Sequence, residues 1–194
     1  NILPNENKKW VGFCQKRRFW INDKNNENSI SIDNLNDHLL LNIDENLENF
    51  ESFICEPIKI SGAKKIKIIK RGWRNLIKNP ALIFKPESIA FHFDMHHGYK
   101  NLEKAINLLN IEDRKGFSEY VNKNDTFNPH IMCIARPYIL ERWFKELFNW
   151  LENCEEEFGY NELKGYDTQR LYAYLAERYL SYWFKKKTKY KELP

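Results

Sequence analysis

In the stretch WVGFCQKRRFW, residues 10–20, an uncharged run ends abruptly in cations. Residues 10–14 carry no charge, and Lys16, Arg17 and Arg18 follow almost at once. A continuous apolar run of this kind is typical of a strand buried on both faces, as in parallel sheets covered by helices. In open α/β sheets, ligands bind beyond the carboxyl ends of the strands. The stretch therefore predicts a strand end that binds an anionic ligand.

The bulk composition indicates a folded globular protein. With 194 residues, 42% hydrophobic and 15% aromatic, the chain can bury a sizeable core, and we expect one domain over residues 1–194. The net charge of +4 comes from 31 basic and 27 acidic residues that are interspersed along the chain. A nucleic-acid binder usually shows a basic stripe, and the sequence has no RNA-recognition motif. We therefore expect no nucleic-acid partner.

The four cysteines lie far apart, without a Cys-x-x-Cys motif or Cys/His ligand spacing. This pattern predicts free thiols in a reducing compartment, and hence a cytoplasmic protein. We expect Cys14 and Cys133 to lie unbonded on buried neighbouring or near-neighbouring strands. No run approaches the roughly 18 to 20 apolar residues of a membrane span, and there is no signal peptide. The chain starts at Asn1 without a methionine and soon reaches a core strand, so we expect it to begin inside a longer protein.

Apolar patterns and turn residues predict the remaining elements. Strands are predicted at 53–60, 63–71 and 130–135. Helices are predicted at 39–47, 101–110, 111–123, 137 to about 154, and 168–186, while 88–98 fits a helix or a strand. Asp167 or Thr168 is expected to cap the last helix. The helix beginning at Pro137 has a predicted apolar face formed by Leu140, Phe144, Leu147, Phe148 and Leu151.

The last predicted helix carries a narrow polar arc. At about 100° per residue, one arc of about 100° collects Arg170, Tyr174, Glu177, Arg178 and Ser181. All other residues from 170 to 184 are Leu, Tyr, Ala, Trp or Phe, so the helix is expected to be largely buried. The arc then faces either a thin strip of solvent or an internal cavity. Its lack of lysine favours the cavity, because buried arginines must be paired or bound to something.

Three further polar features admit more than one interpretation. Asp94, His96 and His97 form a cluster, although sequence neighbours diverge in direction, so the histidine pair alone is no metal signature. We interpret His130 as a strand-end histidine. The segment FKKKTKYKELP, residues 184–194, favours a solvated helix end over attraction to anionic lipid. The second interpretation would bring the protein into peripheral contact with the inner membrane.

Three segments together resemble the DUF4422 group of predicted glycosyltransferases from bacterial capsule and lipopolysaccharide gene clusters. WVGFCQKRRFW is similar to that family's hydrophobic strand ending in His-Tyr-Arg-Arg-Tyr/Phe. HIMCIARPYILERWFKELFNWLENCEE, from residue 130, is similar to its His-Asn-Met-Phe-Ile segment and the helix that follows. QRLYAYLAERYLSYWF, from residue 169, resembles its Arg-x-x-Gly-Tyr-Leu-x-Glu-Arg-Leu helix, and DMHHGYKNLEKAI matches a weaker His-containing stretch.

The chain departs from the family pattern at a few positions. Gln15-Lys16 replaces the usual His-Tyr, Ile131 stands where the family has Asn, and Ala173 replaces Gly. Family members carry a strand–helix segment before the Arg-Arg strand. The resemblance therefore implies that this chain lacks the first strand–helix unit and is N-terminally incomplete.

The resemblance implies a GT-A-like (Rossmann-like) α/β fold, with a mixed sheet flanked by helices and a helical C-terminal part. It also implies transfer of a sugar from a nucleotide-sugar donor to a glycan or lipid-linked glycan acceptor of a surface polysaccharide. Most GT-A enzymes hold the donor diphosphate with a divalent ion on an Asp-x-Asp motif, and this sequence has none. We expect Arg17, Arg18 and Arg178 to bind the diphosphate instead, because guanidinium groups match phosphate oxygens bidentately. No metal or other cofactor is predicted, and a divalent ion stays the alternative.

The remaining site residues follow from these assignments. Asp94 or Glu177 is expected to be the general base for an acceptor hydroxyl in an inverting transfer. Substrate contacts are expected from Gln15, His96, His97, Arg170 and Tyr174. We expect the strand end at Arg17 and Arg18 and the polar arc of the last helix to line one pocket. The rival hypothesis is a non-catalytic module that binds a nucleotide or glycan, favoured by Gln15-Lys16 and the absent N-terminal unit.

Overall fold

A computed structural model describes residues 9–22, 30–31, 33–60, 73, 77, 80, 87–160, 163 and 169–194. The strands are β1 Val11–Phe13, β2 Ser52–Cys55, β3 Ile58–Lys59, β4 Thr126–Phe127, β5 Cys133–Ala135 and β6 Tyr190–Leu193. The α-helices are α1 Leu35–His38, α2 Ile89–His97, α3 Asn101–Asn107, α4 Ile111–Lys123, α5 Pro137–Phe158 and α6 Leu171–Lys187. A 3₁₀ turn covers Glu45–Leu47.

The main sheet is mixed, with the strand order β1-β5-β2-β6. Strand β5 is antiparallel to both of its neighbours, β1 and β2, while β6 is parallel to β2. Strands β1, β2 and β6 therefore run in one direction and end at the same end of the sheet. Strands β3 and β4 form a separate two-stranded sheet.

Each face of the main sheet is covered by a different part of the chain. One face, with Ile54, Cys133 and Ala135, packs against α2 to α6 in the larger core. The opposite face presents Phe53, Ile134 and Leu193 to a smaller cluster, which contains Trp20 and partly buried side chains of residues 40–50. Helices α2 to α6 thus cover one face of the sheet, and Trp20 with side chains of residues 40–50 forms a thin cover on the other face.

Strand β1 differs from the expected strand buried on both faces. It pairs only with β5 among the described strands, and its neighbour is antiparallel, so it is an edge strand and not part of a parallel sheet. Val11 and Phe13 are partly buried, and Gly12 between them is exposed. The apolar run is explained by alternation: Val11 and Phe13 pack toward the helices, while Gly12 presents no side chain to the other face.

The predicted helix at 39–47 is wrong. Helix α1 ends at His38, and Leu39 forms an antiparallel bridge with Ile21. The Leu40 N–H donates to the Trp20 carbonyl at 2.9 Å. Pairing with the chain just after β1 outweighs local helix propensity, since it lays Leu40 on the second face of the sheet.

Local signals explain the other boundaries. Residues 53–60 form two strands in two sheets, separated at Pro57, which has no N–H to continue the ladder. Residues 88–98 form helix α2, because the Ser88 Oγ accepts the Phe91 N–H at 3.2 Å and Gly98, with φ 102°, ends the helix. The predicted α3, α4, β5 and α6 are confirmed. The predicted strand at 63–71 and the caps Asp167 and Thr168 lie outside the described residues.

Helix α5 extends to Phe158 and buries a face that only partly matches the predicted one: Leu140 and Leu147 are buried, and Phe144 and Leu151 are partly buried. Phe148 is 44% exposed, whereas Trp143 and Trp150 are buried against Tyr179 of α6. The large indole rings occupy the centre of the interface between α5 and α6, and α5 is oriented so that they face inward. The buried side chains of α5 are Ile139, Leu140, Trp143, Leu147, Trp150 and Cys154.

The lysines at the end of α6 are held in ion pairs, while Lys186 stays 42% exposed. Lys185 pairs with Glu192 at 2.9 Å, and Lys186 pairs with the buried Asp113 at 2.9 Å. Lys187 pairs with Asp113 at 2.7 Å. Residues 190–193 then form β6, a strand that the lysines concealed in the sequence pattern.

All four cysteines are described and are free thiols. Cys133 is buried on β5, next to β1, as expected. Cys14 is exposed because it lies one residue beyond the end of the edge strand, so its predicted burial is wrong. The expectation that the two are unbonded is confirmed.

Candidate active site

The carboxyl ends of three strands meet at one end of the main sheet. Phe13 of β1 and Ile54 of β2 both lie opposite Cys133, the first residue of β5. Cys55 of β2 lies beside Leu193 of β6. The loops after β1 and β2, and the segment that leads into β5, are therefore neighbours at this end, which is where open α/β sheets bind ligands.

A tight turn holds the arginines at this end of the sheet. The Arg18 N–H donates to the Gln15 carbonyl at 3.0 Å, and Arg17 has φ 72°. A left-handed backbone is uncommon for a residue other than glycine, so the turn holds Arg17 in a costly conformation. The base of the turn is fixed by Trp20, whose indole N–H donates to the Phe13 carbonyl at 3.1 Å. Residues 14–19 are exposed, so both guanidinium groups reach solvent.

The polar arc of α6 is largely buried. Arg178 is 2% exposed and Ser181 is fully buried, so this part of the arc does not face solvent, whereas Arg170 at its other end is exposed. It packs on the segment Phe127–His130, which leads into β5. The Ser181 Oγ accepts the Asn128 N–H at 2.9 Å, and the Arg178 guanidinium carbon lies 3.5 Å from the centre of the Phe127 ring.

Glu177 joins this segment to Arg178. Its Oε1 accepts the backbone N–H of His130 at 2.6 Å, and its Oε2 accepts from Arg178 Nη1 at 2.5 Å. His130 has φ 65° and is half-buried. The carboxylate therefore holds a histidine in a left-handed conformation at the amino end of β5.

The electrostatics of the site show that the turn after β1 and helix α6 act on the same groups. Burial lowers the pKa of His130, the charge of Arg18 lowers it further, and Glu177 opposes both. Burial raises the pKa of the Cys55 thiol to about 11, with Arg18 lowering it and Glu177 raising it. Burial also lowers the pKa of Arg178, and Glu177 counteracts this effect. Arg18 and Glu177 thus converge on His130 and Cys55.

The predicted cluster on α2 divides between two places. His97 is 4% exposed and stacks on Tyr174 of α6, with ring centroids 3.8 Å apart and planes at 24°. The Arg170 guanidinium carbon lies 5.4 Å from the centre of the same tyrosine ring. His96 is half-buried beside His92, with ring centroids 4.5 Å apart. His97, Tyr174 and Arg170 therefore form a stacked column at the amino end of α6.

Asp94 is on the same helix as His96 and His97. It is 5% exposed, and its Oδ1 accepts the Lys100 N–H at 3.0 Å. It lines a cavity of about 430 Å³ between α2, α3 and α4, together with Glu103 and Arg114.

The sequence interpretation missed His130, which it treated as an ordinary strand-end histidine. Its importance depends on the direction of β5: because this strand is antiparallel, its first residues lie beside the carboxyl ends of its neighbours. The signal available in the sequence was the short buried strand directly after His130. The alternation of side chains along a strand does not show whether β5 runs parallel or antiparallel to its neighbours.

Two kinds of feature are not found within the described part of the chain. No group of three or more histidine, cysteine, aspartate or glutamate side chains there is arranged to hold a metal ion. No helix there is both long and apolar enough to cross a bilayer.

The fold is similar to part of a solved glycosyltransferase structure. The chain is similar to the apo structure of the bifunctional glycosyltransferase WbbM, with a TM-score of 0.68 and 15% sequence identity. The similarity covers 97% of this chain and 33% of WbbM, so the chain spans about a third of the length of that protein. It confirms the predicted α/β class, a GT-A-like mixed sheet flanked by helices with a helical C-terminal part.

The family assignment rests on the sequence. The chain belongs to the family described as "Domain of unknown function (DUF4422)", which matches residues 2–188. A comparison with curated proteins found no match.

Proposed function

We propose that this chain transfers a sugar from a nucleotide-sugar donor to a glycan or lipid-linked glycan of a growing capsule or lipopolysaccharide. The observation that carries the proposal is the exposed Arg17–Arg18 turn at the carboxyl end of β1, at the same end of the sheet as His130, whose pKa the charge of Arg18 lowers. A nucleotide sugar is a ligand class that this end of the sheet suits, because its diphosphate is anionic and becomes more so as the sugar leaves.

In this proposal Arg17 and Arg18 bind the diphosphate. Both are exposed, and guanidinium groups donate bidentately to phosphate oxygens. They stabilise the charge that develops on the leaving group. Arg178 is buried, so its role changes from direct contact to holding Glu177 in place. Gln15, in the same turn, contacts the donor.

The acceptor side is assigned to the stacked column. Arg170 is exposed, while Tyr174 is partly buried and packs on His97. Aromatic rings and guanidinium groups are suited to the faces and hydroxyls of sugars, and His96 lies on the same helix as His97. Asp94 is not part of this proposal, since it lines the cavity between α2, α3 and α4.

The proposed site works without a metal ion. Its exposed groups next to β1 are cationic, whereas Mg²⁺ and Mn²⁺ are bound by carboxylates and other oxygens. Donor binding should therefore persist in EDTA. Dependence on added Mn²⁺ or Mg²⁺ would contradict the assignment of the arginines in place of a metal.

We place this activity in the cytoplasm, where the four free thiols stay reduced. Contact with the inner membrane through the lysine-rich end has lost its main support, because Lys185, Lys186 and Lys187 are engaged in ion pairs.

A second candidate is a binding module that holds a nucleotide or glycan without turnover. It is favoured by Gln15-Lys16, which stands where the family has His-Tyr. Such a module would retain the arginine turn, and with it the affinity for a diphosphate, but it would not cleave the donor.

The test is donor hydrolysis by the full chain. It is incubated with a panel of UDP-, GDP- and dTDP-hexoses, and released nucleoside diphosphate is measured together with the affinity for the free diphosphates. We expect slow release by the unmodified protein and a loss of affinity of about 10-fold or more in Arg18→Ala, since a hydrogen bond to a charged group contributes about 1.5–3 kcal/mol. The exposed Arg142→Lys is the control and should behave as the parent.

The outcomes separate the hypotheses. Binding without release supports the module and contradicts the enzyme. Neither binding nor release of any nucleotide contradicts both.

A further inference from the structure

Each oxygen of the Glu177 carboxylate already accepts one hydrogen bond from another group. One oxygen accepts the His130 N–H, and the other accepts from Arg178. Its side chain is only 16% exposed. A general base must have a lone pair within reach of the proton that it removes. Glu177 is therefore better suited to positioning a base than to acting as one.

The group that Glu177 positions is His130. The left-handed backbone at φ 65° is a strained state for histidine, and it persists because Glu177 binds the N–H. Phe127 and Asn128 of the same segment are fixed by Arg178 and Ser181. Three neighbouring side chains of α6 thus hold the four residues Phe127–His130. Among the described residues, no hydrogen bond occupies the His130 imidazole.

The surroundings of His130 suit a proton acceptor. The charged groups around it are Arg18 from the turn after β1 and Glu177 from α6, and Glu177 is itself paired with Arg178. The Cys55 thiol of β2 shares these two charged neighbours, and its pKa of about 11 keeps it uncharged near neutral pH. Burial and Arg18 keep the pKa of His130 below its ordinary value, so the imidazole is neutral and able to accept a proton near pH 7.

We propose that His130 is the catalytic base of an inverting transfer, positioned by the Glu177–Arg178 pair and facing the diphosphate held by the arginine turn. This inference rests on the proposed function. In the step, an imidazole nitrogen takes the proton of the acceptor hydroxyl as that oxygen forms a bond to the anomeric carbon of the donor. The bond from this carbon to the diphosphate oxygen breaks, its electron pair leaves with the nucleoside diphosphate, and Arg17 and Arg18 neutralise the added charge.

The experiment uses the full chain and the nucleotide sugar that it hydrolyses fastest, with water in place of the acceptor hydroxyl. His130→Asn is the variant, because asparagine adopts the left-handed region readily and retains the N–H for Glu177. We expect the rate of release of nucleoside diphosphate to fall about 10²- to 10⁴-fold, the usual contribution of a general base. The affinity for free nucleoside diphosphate should stay within about threefold.

The pH dependence of kcat/KM distinguishes a catalytic base from a residue with a purely structural role, because only the loss of a base would abolish its fall at low pH. In the unmodified protein, kcat/KM should fall tenfold per pH unit below the pKa of His130, and this acidic limb should be absent in His130→Asn. Removing the charge of Glu177 in Glu177→Gln should move the limb to lower pH. Removing the charge of Arg18 in Arg18→Gln should move it to higher pH, because Arg18 lowers the pKa of His130 and Glu177 raises it.

A matched control is His38→Gln, a histidine of α1, which should leave the rate and the limb unchanged once the folded fraction is measured by urea unfolding. The inference is overturned if His130→Asn is folded and retains the parent rate and acidic limb while the parent protein is active. If the parent protein releases no diphosphate from any donor, the proposed function fails first. If His130→Asn folds poorly, the test rests on Glu177→Gln and Arg18→Gln. The inference then requires that these two variants move the acidic limb of the pH profile in opposite directions.

Discussion

Arg178 is a cation in a position where charge is costly unless it is matched. It is 2% exposed, its guanidinium carbon lies 3.5 Å from the centre of the Phe127 ring, and Nη1 donates to Glu177. A planar guanidinium stacks on a ring and donates in its own plane at the same time, which an ammonium group does not.

Replacing Arg178 by lysine should therefore reduce both stability and turnover. We expect Arg178→Lys to lose about 2 kcal/mol of unfolding free energy, since the stack and part of a charged hydrogen bond are lost. Release of nucleoside diphosphate should fall at least tenfold at a temperature where the variant is fully folded, because Glu177 then holds His130 less firmly. Urea unfolding and donor hydrolysis measure the two effects, with Arg142→Lys as the exposed control. Parent-like turnover in a folded Arg178→Lys would contradict the positioning role.

At this scale the sequence predicts which side chains of α6 are special but not what they contact. The arc of Tyr174, Glu177 and Arg178 follows from the helical repeat alone. That Glu177 meets a backbone N–H of His130 depends on how the segment before β5 lies across the helix, 47 residues away in sequence. No periodicity encodes such a contact.

Helices α4 and α6 are joined by a buried carboxylate, Asp113. It is 1% exposed and accepts from Tyr179 at 2.9 Å as well as from Lys186 and Lys187. Burial raises the pKa of Asp113, but the hydrogen bonds from Lys186, Lys187 and Tyr179 outweigh it, so the pKa is lower than its ordinary value. A carboxyl of this kind stabilises the fold in its ionised form.

The stability that Asp113 contributes should depend on pH with a defined sign. Because its pKa is lowered in the folded state, the contribution is present above the unfolded pKa of about 3.9 and is lost as the pH falls through the folded pKa. We expect Asp113→Asn to lose about 1–3 kcal/mol at pH 7, because Tyr179 and Lys186 lose a charged acceptor, while Lys187 keeps its pair with Glu146. The difference in urea midpoint between the two proteins should narrow below about pH 4. A difference that stays constant with pH would rule out an ionised Asp113 as its source.

Gly116, in the middle of α4, faces Tyr182 of α6, and this contact reverses the usual effect of replacing a helical glycine by alanine. Glycine to alanine in a helix normally gains about 1 kcal/mol. A Cβ at Gly116 would lie 2.3 Å from the Tyr182 hydroxyl and 3.1 Å from Cζ of that ring. We therefore expect Gly116→Ala to destabilise the protein by about 1–2 kcal/mol, as overpacking does, measured by urea unfolding. Combining it with Tyr182→Phe, which removes the hydroxyl, should cost less than the sum of the single changes.

Elements with strong apolar periodicity were predictable, and elements defined by pairing were not. Helices α3, α4 and α6 follow from their amphipathic patterns. Strand β6, with the sequence YKEL, alternates too weakly to stand out and exists because β2 offers it an edge. The stretch 39–47 was misjudged for the same reason, since its bridge at Ile21 is a tertiary contact.

Segments that are distant in the chain lie together at the end of the main sheet where β1, β2 and β6 have their carboxyl ends. The turn at Arg17–Arg18, the segment before β5 and helix α6 come together because β5 is antiparallel to β1 and β2. The sequence predicted two of these three parts through their charges. The third was missed because His130 carries no distinctive pattern until the direction of its strand is known.

The parallel pairing of β2 with β6 also determines when the molecule can be completed during its synthesis. The Ser52 hydroxyl lies 2.6 Å from that of Thr188, and these two residues are 136 positions apart in the chain. At about 5–20 residues per second, a ribosome takes roughly 7–27 s to cover that distance. Throughout this interval a nascent chain carries β2 with an unpaired edge, the kind of surface on which strands from other molecules add. This edge of β2 is covered only after residues 190–193 have been made and have paired with it.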